Sequence, residues 1–365
     1  MSKTVLKINP FVAAIILAAT CAGTAQAQSN VTIYGRVDAG LDFQSNQVGP
    51  NGTRGSAVTI GGNNWGTSMF GFKGVEDLGG GLKAIFTLEN GFSANNGTTN
   101  GGPSRLWSRR SWVGLTGDFG TVKLGRDLTL PSDLVWSIDP TGQQNLSSAT
   151  LAKGRNWPQT DNQIQYISPS FGGFVAQGSY GFGGVPGATK DKSTGGVALS
   201  YSQSNFTVLA MYDFMNNANG QYSSLYGDSI NGTYGPSSQE ITIGGTATFD
   251  KLKLFAAWQA ITASKAVDTP YTRANQSWLG ANYMLTPAWT LIGAAYYTKL
   301  NNDSGNAQLY MLGANYNLSK RTLLYGSVGT VRNKGQADFQ VEVGSSAGMI
   351  AQNQNAIYTG ISHSF

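Results

Sequence analysis

The sequence predicts an all-β chain: a transmembrane antiparallel β-barrel of sixteen strands within its 365 residues. Three observations predict it. Apolar and polar side chains alternate along segment after segment, the two-residue period of a strand with one apolar face. Charged residues make up 12 % of the chain, against about 25 % in soluble domains. Past residue 27 no apolar run approaches the ~20 residues a spanning helix needs. A chain too weakly charged for water and too polar for a helical bundle fits a closed sheet, whose backbone groups are satisfied strand to strand.

The first residues are expected to play no part in that sheet. Lys3 and Lys7 supply a positive end, Phe11 to Ala22 an apolar stretch, and Ala25-Gln26-Ala27 a small-x-small site. This is a secretory signal over residues 1–27, leaving a single domain over residues 28–365. Cys21 invites a lipidated N-terminus, but Ala18-Ala19-Thr20 before it lack the pattern of such sites. Removing the signal removes that one cysteine, so stability must come from pairing and burial rather than disulfides. It also takes Lys3 and Lys7, leaving 22 basic against 19 acidic residues, a net of +3. No concentrated basic face results, which excludes a nucleic-acid binder.

Each strand rests on its alternation. In the first, Val31, Ile33, Val37, Ala39, Leu41 and Phe43 share one face, and Thr32, Tyr34, Arg36, Asp38 and Asp42 the other. Leu82, Ala84, Phe86 and Leu88 then oppose Lys83, Thr87 and Glu89. Ile241, Ile243, Ala247 and Phe249 oppose Thr242, Thr246 and Thr248; Leu252, Leu254, Ala256 and Trp258 share a face. Leu309, Met311, Gly313 and Asn315 do so less cleanly. The closing segment, from Asn355 to Phe365, ends on an aromatic ring and is expected to pair with the first strand.

The connections alternate in length. Short turns fall at Asp77–Gly81, Gly117–Gly120, Asp250-Lys251, Thr286-Pro287 and Ser319-Lys320. Longer Gly/Asn/Ser segments occupy residues 44–67, 92–105, 127–161, 183–194, 214–238, 262–275 and 333–354. One trimmed rim and one looped rim are what outer-membrane barrels show, whereas a sandwich mixes the lengths. Aromatics near strand ends are expected as interfacial girdles: Tyr34, Phe43, Trp112, Phe171, Phe174, Tyr180, Phe249, Trp289, Tyr316 and Phe365.

Several stretches resemble the trimeric general porins of Gram-negative outer membranes, in their neisserial-type branch. They are Val31-Thr-Ile-Tyr-Gly-Arg-Val-Asp-Ala-Gly40, Gly71-Phe-Lys-Gly-Val-Glu-Asp-Leu-Gly-Gly-Gly-Leu-Lys-Ala-Ile-Phe86 and Gly114-Leu-Thr-Gly-Asp-Phe-Gly-Thr-Val-Lys-Leu-Gly-Arg126. Leu318-Ser-Lys-Arg-Thr-Leu-Leu-Tyr-Gly326 and Gly360-Ile-Ser-His-Ser-Phe365 complete the set. The resemblance implies three barrels to an assembly, each with a water-filled lumen passing small hydrophilic solutes and ions, set in outer-membrane lipid and lipopolysaccharide. It implies delivery to the barrel-assembly machinery through the C-terminal Phe365. It implies, too, a third external loop, residues 127–161, folded inward as a constriction. Asp127, Asp133 and Asp139 are its candidate acids, with Lys153 and Arg155 at its return. Arg109 and Arg110 stand where the family carries its wall arginines, and Arg155, in Gly-Arg-Asn-Trp157, matches another; Arg126, at the end of the third stretch, is a further lumen candidate. Met69 departs from the family, which often has Arg there.

Arg36 and Asp38 share the polar face, so water rather than lipid should meet them; an Arg at mid-depth in lipid costs about 2–4 kcal/mol. Neighbours on a strand point oppositely. Placing Val113 and Leu115 outside turns Arg110 inward, and placing Trp112 outside selects Arg109. Opposed basic and acidic rows would set a transverse field, with a weak anion preference where the basic row is stronger. Catalysis is not expected. His363 is the one histidine, and without a second His or a mature Cys neither a Cys–His dyad nor a typical zinc site can be assembled. No cofactor is expected, since Gly181–Gly187 has Pro186 and no helix to cradle a phosphate. A solute-selective channel, hinted at by Trp136 and Trp157, and a surface adhesin are the competing readings.

Overall fold

The computed structural model describes residues 30–365 apart from 103, 143, 217–224, 226–236, 265–269 and 343–348. The expected signal lies outside the described residues. Among them are seventeen strands in one antiparallel sheet: β1 (Asn30–Val48), β2 (Arg54–Gly62), β3 (Ser68–Gly79), β4 (Leu82–Phe92), β5 (Arg110–Gly117), β6 (Gly120–Leu128), β7 (Gln159–Ile167), β8 (Phe174–Gly181) and β9 (Thr194–Ser202). The sheet continues through β10 (Phe206–Met215), β11 (Ser238–Phe249), β12 (Leu252–Ala263), β13 (Arg273–Met284), β14 (Trp289–Leu300), β15 (Gly305–Asn317), β16 (Thr322–Gly335) and β17 (Asn353–Ser364).

Sixteen of these make the wall. Each pairs with its neighbours in chain order, and β17 returns to β1 with Arg36 opposite Ser364 and Gln44 opposite Ala356. The ring is closed, so the wall itself, among the described residues, leaves no strand edge to template aggregation. The seventeenth, β2, pairs with β1 alone, from Ala39 to Val48, above the point where β3 takes over at Arg36. The first connection is therefore a standing hairpin. Val58 and Ile60, alternating on its exposed face, are the signal that marks it.

The faces follow the alternation. Val31, Ile33, Val37 and Leu41 of β1 are exposed, while Asp38, Asp42 and Gln44 are buried. Ile241, Ile243 and Phe249 lie outside, with Thr242 and Thr246 buried inside. Apolar flanks in lipid and polar flanks around the lumen are the reverse of a soluble sandwich. Leu309 and Met311 are an exception: both are buried on the inner side, and Tyr310 and Leu312 take the outer one.

The rims also hold, with one break. The looped rim has an eighth connection, between β14 and β15, that is only the short turn from Asn301 to Ser304. Aromatic pairs ring the trimmed rim: Trp289 with Tyr316 (centroids 4.7 Å apart) and Phe174 with Tyr201 (4.3 Å). Tyr34 and Trp112 do not join the girdles. Tyr34 turns inward to donate to Glu89 Oε2 (2.8 Å), and Trp112 lies under Lys123 Nζ, 4.9 Å from its ring centre.

Candidate functional site

The third external loop, residues 129–158, leaves β6 and lies against the inside of the wall. Thr129 N–H bonds Pro158 O (3.1 Å) and pins its neck. Pro131 opens a one-turn helix, Leu130–Leu134, since its fixed φ suits a first turn and its missing N–H costs nothing there. A 3-10 turn, Val135–Ile138, follows. Leu130, Val135, Ile138, Leu146 and Leu151 are fully buried in an apolar cluster with wall residues including Trp278, Tyr296, Leu309 and Met311. Wall side chains then hold the loop's backbone: Trp278 Nε1 donates to Ile138 O (3.0 Å), Asn282 Nδ2 to Pro140 O (3.0 Å) and Gln276 Nε2 to Ser148 O (2.9 Å). This explains Leu309 and Met311. They face a loop, not water.

The candidate charges separate into distinct environments. Arg110 lies at the centre of one, bonded to Asp127 and to Asp133 (2.8 Å). Lys123 Nζ reaches Asp127 from the other side at 3.1 Å. Arg109 Nε bonds Glu89 Oε1 (2.7 Å). Val113 and Leu115 are exposed, so parity turns Arg110 inward. Arg109 nevertheless reaches the same Glu89, because it precedes β5 and is free of strand alternation. The side chains of Arg109 and Arg110 are 20 % and 19 % exposed, those of Glu89 and Asp127 only 5 % and 4 %. Glu89 and Asp127 lie behind the arginines, while Asp133, on the loop side of Arg110, is 25 % exposed.

Arg36 and Asp38 share a face but do not pair. Arg36 donates to Thr67 O (3.0 Å) and stacks 5.4 Å above Trp65. Asp38 Oδ1 accepts from Asn64 N–H (2.9 Å) and Tyr325 O–H (3.2 Å), and its side chain is buried. Its role is to hold the inward dip of the first loop, where Asn64 also takes a bond from Asn145 of the third (2.9 Å).

Three of the candidates stand away from water or from the lumen. Arg155 is fully buried behind the loop, 2.7 Å from Asp213 and 3.7 Å from Glu240. Asp139 is buried too: it accepts from Thr141 N–H (2.8 Å), Ser148 N–H (2.9 Å) and Tyr296 O–H (3.1 Å) and so folds the loop on itself. Arg126 pairs across from Ser111, on the face that carries exposed Leu124 and Val113. Its guanidinium bonds Asp161 (2.6 Å) and Ser108 O (2.7 Å) outside the barrel. Lys153 clamps the third loop to the last through Asp338 (2.5 Å).

The profile of the Gram-negative porins matches residues 13–336. The chain is 32 % identical to outer membrane porin protein 32 of Delftia acidovorans, over 97 % of this chain and 99 % of that one. This chain belongs to the Gram-negative porins. It is also 28 % identical to the major outer membrane protein P.IB of Neisseria lactamica, over 88 % of this chain and 94 % of that one. The anion-selective porin from Comamonas acidovorans superposes with a TM-score of 0.78 at 26 % identity, covering 93 % of this chain and all of that one. The molecule is thus an outer-membrane channel for passive diffusion.

In this porin sequence reasoning missed Lys73 and Glu89 as members of the charged group. Lys73 is exposed on the inner side, 5.2 Å from the ring centre of Tyr34, and Glu89 is the shared partner of both arginines. Glu89 carries a signal, lying in step with inward Lys83 and Thr87. Met69, opposite Arg36 on β3, adds no charge to the row. In the last loop, burial pushes the Glu342 carboxyl above its ordinary range, partly offset by a hydrogen bond from Gln44.

Proposed function

We propose that the narrow part of the channel runs between a cationic wall (Arg36, Lys73, Arg109 and Arg110) and the free side of the third loop, where Asp133 stands. The reading carries a weak anion preference for small hydrophilic solutes and ions. The supporting observation is the unequal exposure of the ion pairs on the wall: Glu89 and Asp127 are recessed behind Arg109 and Arg110, which leaves Asp133, on the loop side, as the one acid of the group open to water. Fixed charge at a constriction biases the ions that pass. Replacing Arg36, Lys73 and Arg109 by Gln should move the zero-current potential in a salt gradient toward cations. An unmoved potential removes them from the constriction.

A second reading has one specific observation behind it. The Trp136 side chain is 55 % exposed on the loop, and its N–H is held by Asp133 O (2.7 Å). A ring fixed beside charged groups could favour one solute class. Saturable block of the ion current by a single solute, lost in Trp136→Ala, would establish it.

The fuller account of this porin has residues 1–27 removed on export, three barrels per assembly, and insertion guided by Phe365 into a membrane of lipid and lipopolysaccharide. It requires no catalysis: His363 points outward beside exposed Ile361, 2.7 Å from Thr322 Oγ1. Conductance lost in three equal steps from one inserted particle would support the trimer.

A further inference from the structure

We propose that Trp65 and Gly66, in the inward dip of the first loop, are positioning residues for ion selectivity. They hold the Arg36 guanidinium at the narrow part of the channel without neutralising it. The inference rests on the reading of Arg36 as part of the cationic wall.

The dip is the segment between β2 and β3, residues 63–67. Its backbone is fixed from both sides. On the wall side, Asp38 Oδ1 accepts from the N–H groups of Asn64 (2.9 Å) and Trp65 (3.4 Å), and the Ser68 hydroxyl donates to Asp38 O (3.1 Å). On the loop side, Asn145 Nδ2 donates to Asn64 Oδ1 (2.9 Å), and Trp65 packs against the apolar cluster that seats the third loop. A short segment bound at both flanks cannot drift, so whatever rests on it is held in place.

Arg36 lies in the cradle this segment forms. Its Nε donates to Thr67 O (3.0 Å), and its guanidinium carbon stands 5.4 Å from the centre of the Trp65 ring. Gly66 supplies the floor: a side chain there would begin 2.6 Å from Arg36 Cζ and 2.8 Å from Nη1. All three contacts are with neutral groups: a ring face, a carbonyl and a bare Cα. Arg36 makes no ion pair among the described residues, whereas Arg109 and Arg110 lie against Glu89, Asp127 and Asp133. Asp38, two residues on, turns its carboxylate to Asn64 and Tyr325 instead. A cation paired at contact distance presents a dipole to a passing ion, and its field fades faster than that of a lone charge. A ring face attracts a cation without cancelling it, so Arg36 keeps its reach. The arrangement recurs at Lys73, which also lacks an ion pair among the described residues and lies 5.2 Å from the ring centre of Tyr34.

Both positioning residues are marked by what they lack. Gly66 has no side chain at the point where the guanidinium rests. Its φ is not left-handed, so the contact with Arg36 is what excludes a larger residue. Trp65 buries an indole N–H that has no partner among the described residues. The face of its ring, not its hydrogen bonding, is therefore what Arg36 uses.

The test measures the zero-current potential of the full porin in planar bilayers under a salt gradient, with folding checked by heat-modified gel shift. Gly66→Ala adds a methyl group where the flexible end of Arg36 lies, so the barrel tolerates it and the guanidinium is displaced. Trp65→Leu removes the ring. Neither changes the charge of the chain, yet each should move the potential toward cations by at least half the change that Arg36→Gln produces. Trp65→Phe should keep the parental value, since a ring remains. In an Arg36→Gln background, Trp65→Leu and Gly66→Ala should add nothing. If Arg36→Gln moves the potential while both charge-neutral variants stay parental, the positioning proposal falls and the cationic wall stands. A shift of full size from either variant in the Arg36→Gln background also overturns the proposal, since the dip would then act on the pore without Arg36. An unmoved potential in Arg36→Gln itself removes the wall reading, and this inference with it.

Discussion

Arg155 has two acidic partners and Arg110 three, and their surroundings set the two arginines apart. Arg110 keeps a fifth of its side chain in water, while Arg155, Asp213 and Glu240 share one buried site between loop and wall. Removing one member of a buried ionic group leaves the others unpaired, at a cost of about 3–5 kcal/mol. Arg155→Ala should therefore lower the unfolding free energy of the barrel by that order, seen as a lower urea midpoint, and leave the zero-current potential unchanged. A parental midpoint would show that the three charges stabilise nothing. Alternation in the sequence was enough to put Arg36 and Asp38 on the inner face. It could not report depth, because depth depends on what the third loop covers. Arg126 was misplaced for a different reason: in Leu124-Gly125-Arg126-Asp127 its parity follows Leu124, and naming it a lumen candidate passed over that.

At the scale of elements, the wall strands were legible because most of them alternate; β2 and the loop interiors were not, the one lying inside a Gly/Asn/Ser-rich segment and the others having no period to govern them. A clue was nonetheless present. A solvent-facing loop has no use for Leu130, Val135, Ile138, Leu146 and Leu151, and all five are buried. The wall receives them at small positions. A side chain on Gly280 would begin 2.2 Å from Pro140 Cγ, and one on Gly329 2.8 Å from Leu146. Overpacking of this kind costs about 1–3 kcal/mol. Gly280→Val should free the bonds from Trp278 and Asn282, and appear as faster cleavage of the third loop by protease and a noisier open channel. A loop cleaved at the parental rate would show that the seat is not selective. The last loop should respond to pH. Glu342 is half-buried near Gln44, Tyr358 and Asp42, and its partial burial raises its carboxyl above the ~4.3 of an unfolded Glu. A raised acid favours the seated loop while it is protonated, and that share of stability fades as pH rises through the raised value. Protection of the loop from protease should therefore be strongest in acid and decline toward neutrality. Glu342→Gln should flatten the profile at its acid level, and a profile unchanged by the substitution would assign it to another group.

For the whole molecule, closure is the property on which the rest depends, since an open sheet would leave unpaired backbone groups in lipid. The seam is made twice on one strand. From Asn30 to Arg36, β1 pairs with β3, and from Arg36 onward its opposite edge takes β17. Gly35 sits where the two meet. Its N–H and C=O both bond the backbone of Phe365 (3.1 and 3.0 Å). A side chain there would start 2.4 Å from the Phe365 ring and 2.6 Å from Met69 O. The ring could move, but the carbonyl belongs to the neighbouring strand and cannot yield without spoiling its pairing. Gly35→Val should thus strain both sides of the seam together, with a loss of the order of 1–3 kcal/mol in urea unfolding and slower conversion to the compact, heat-modifiable form. Val37→Ala, two residues on and facing lipid, should cost less and leave the folding rate nearly parental. If the two variants fold at the same rate, the first and last strands meet too late, or too loosely, for that crowding to matter.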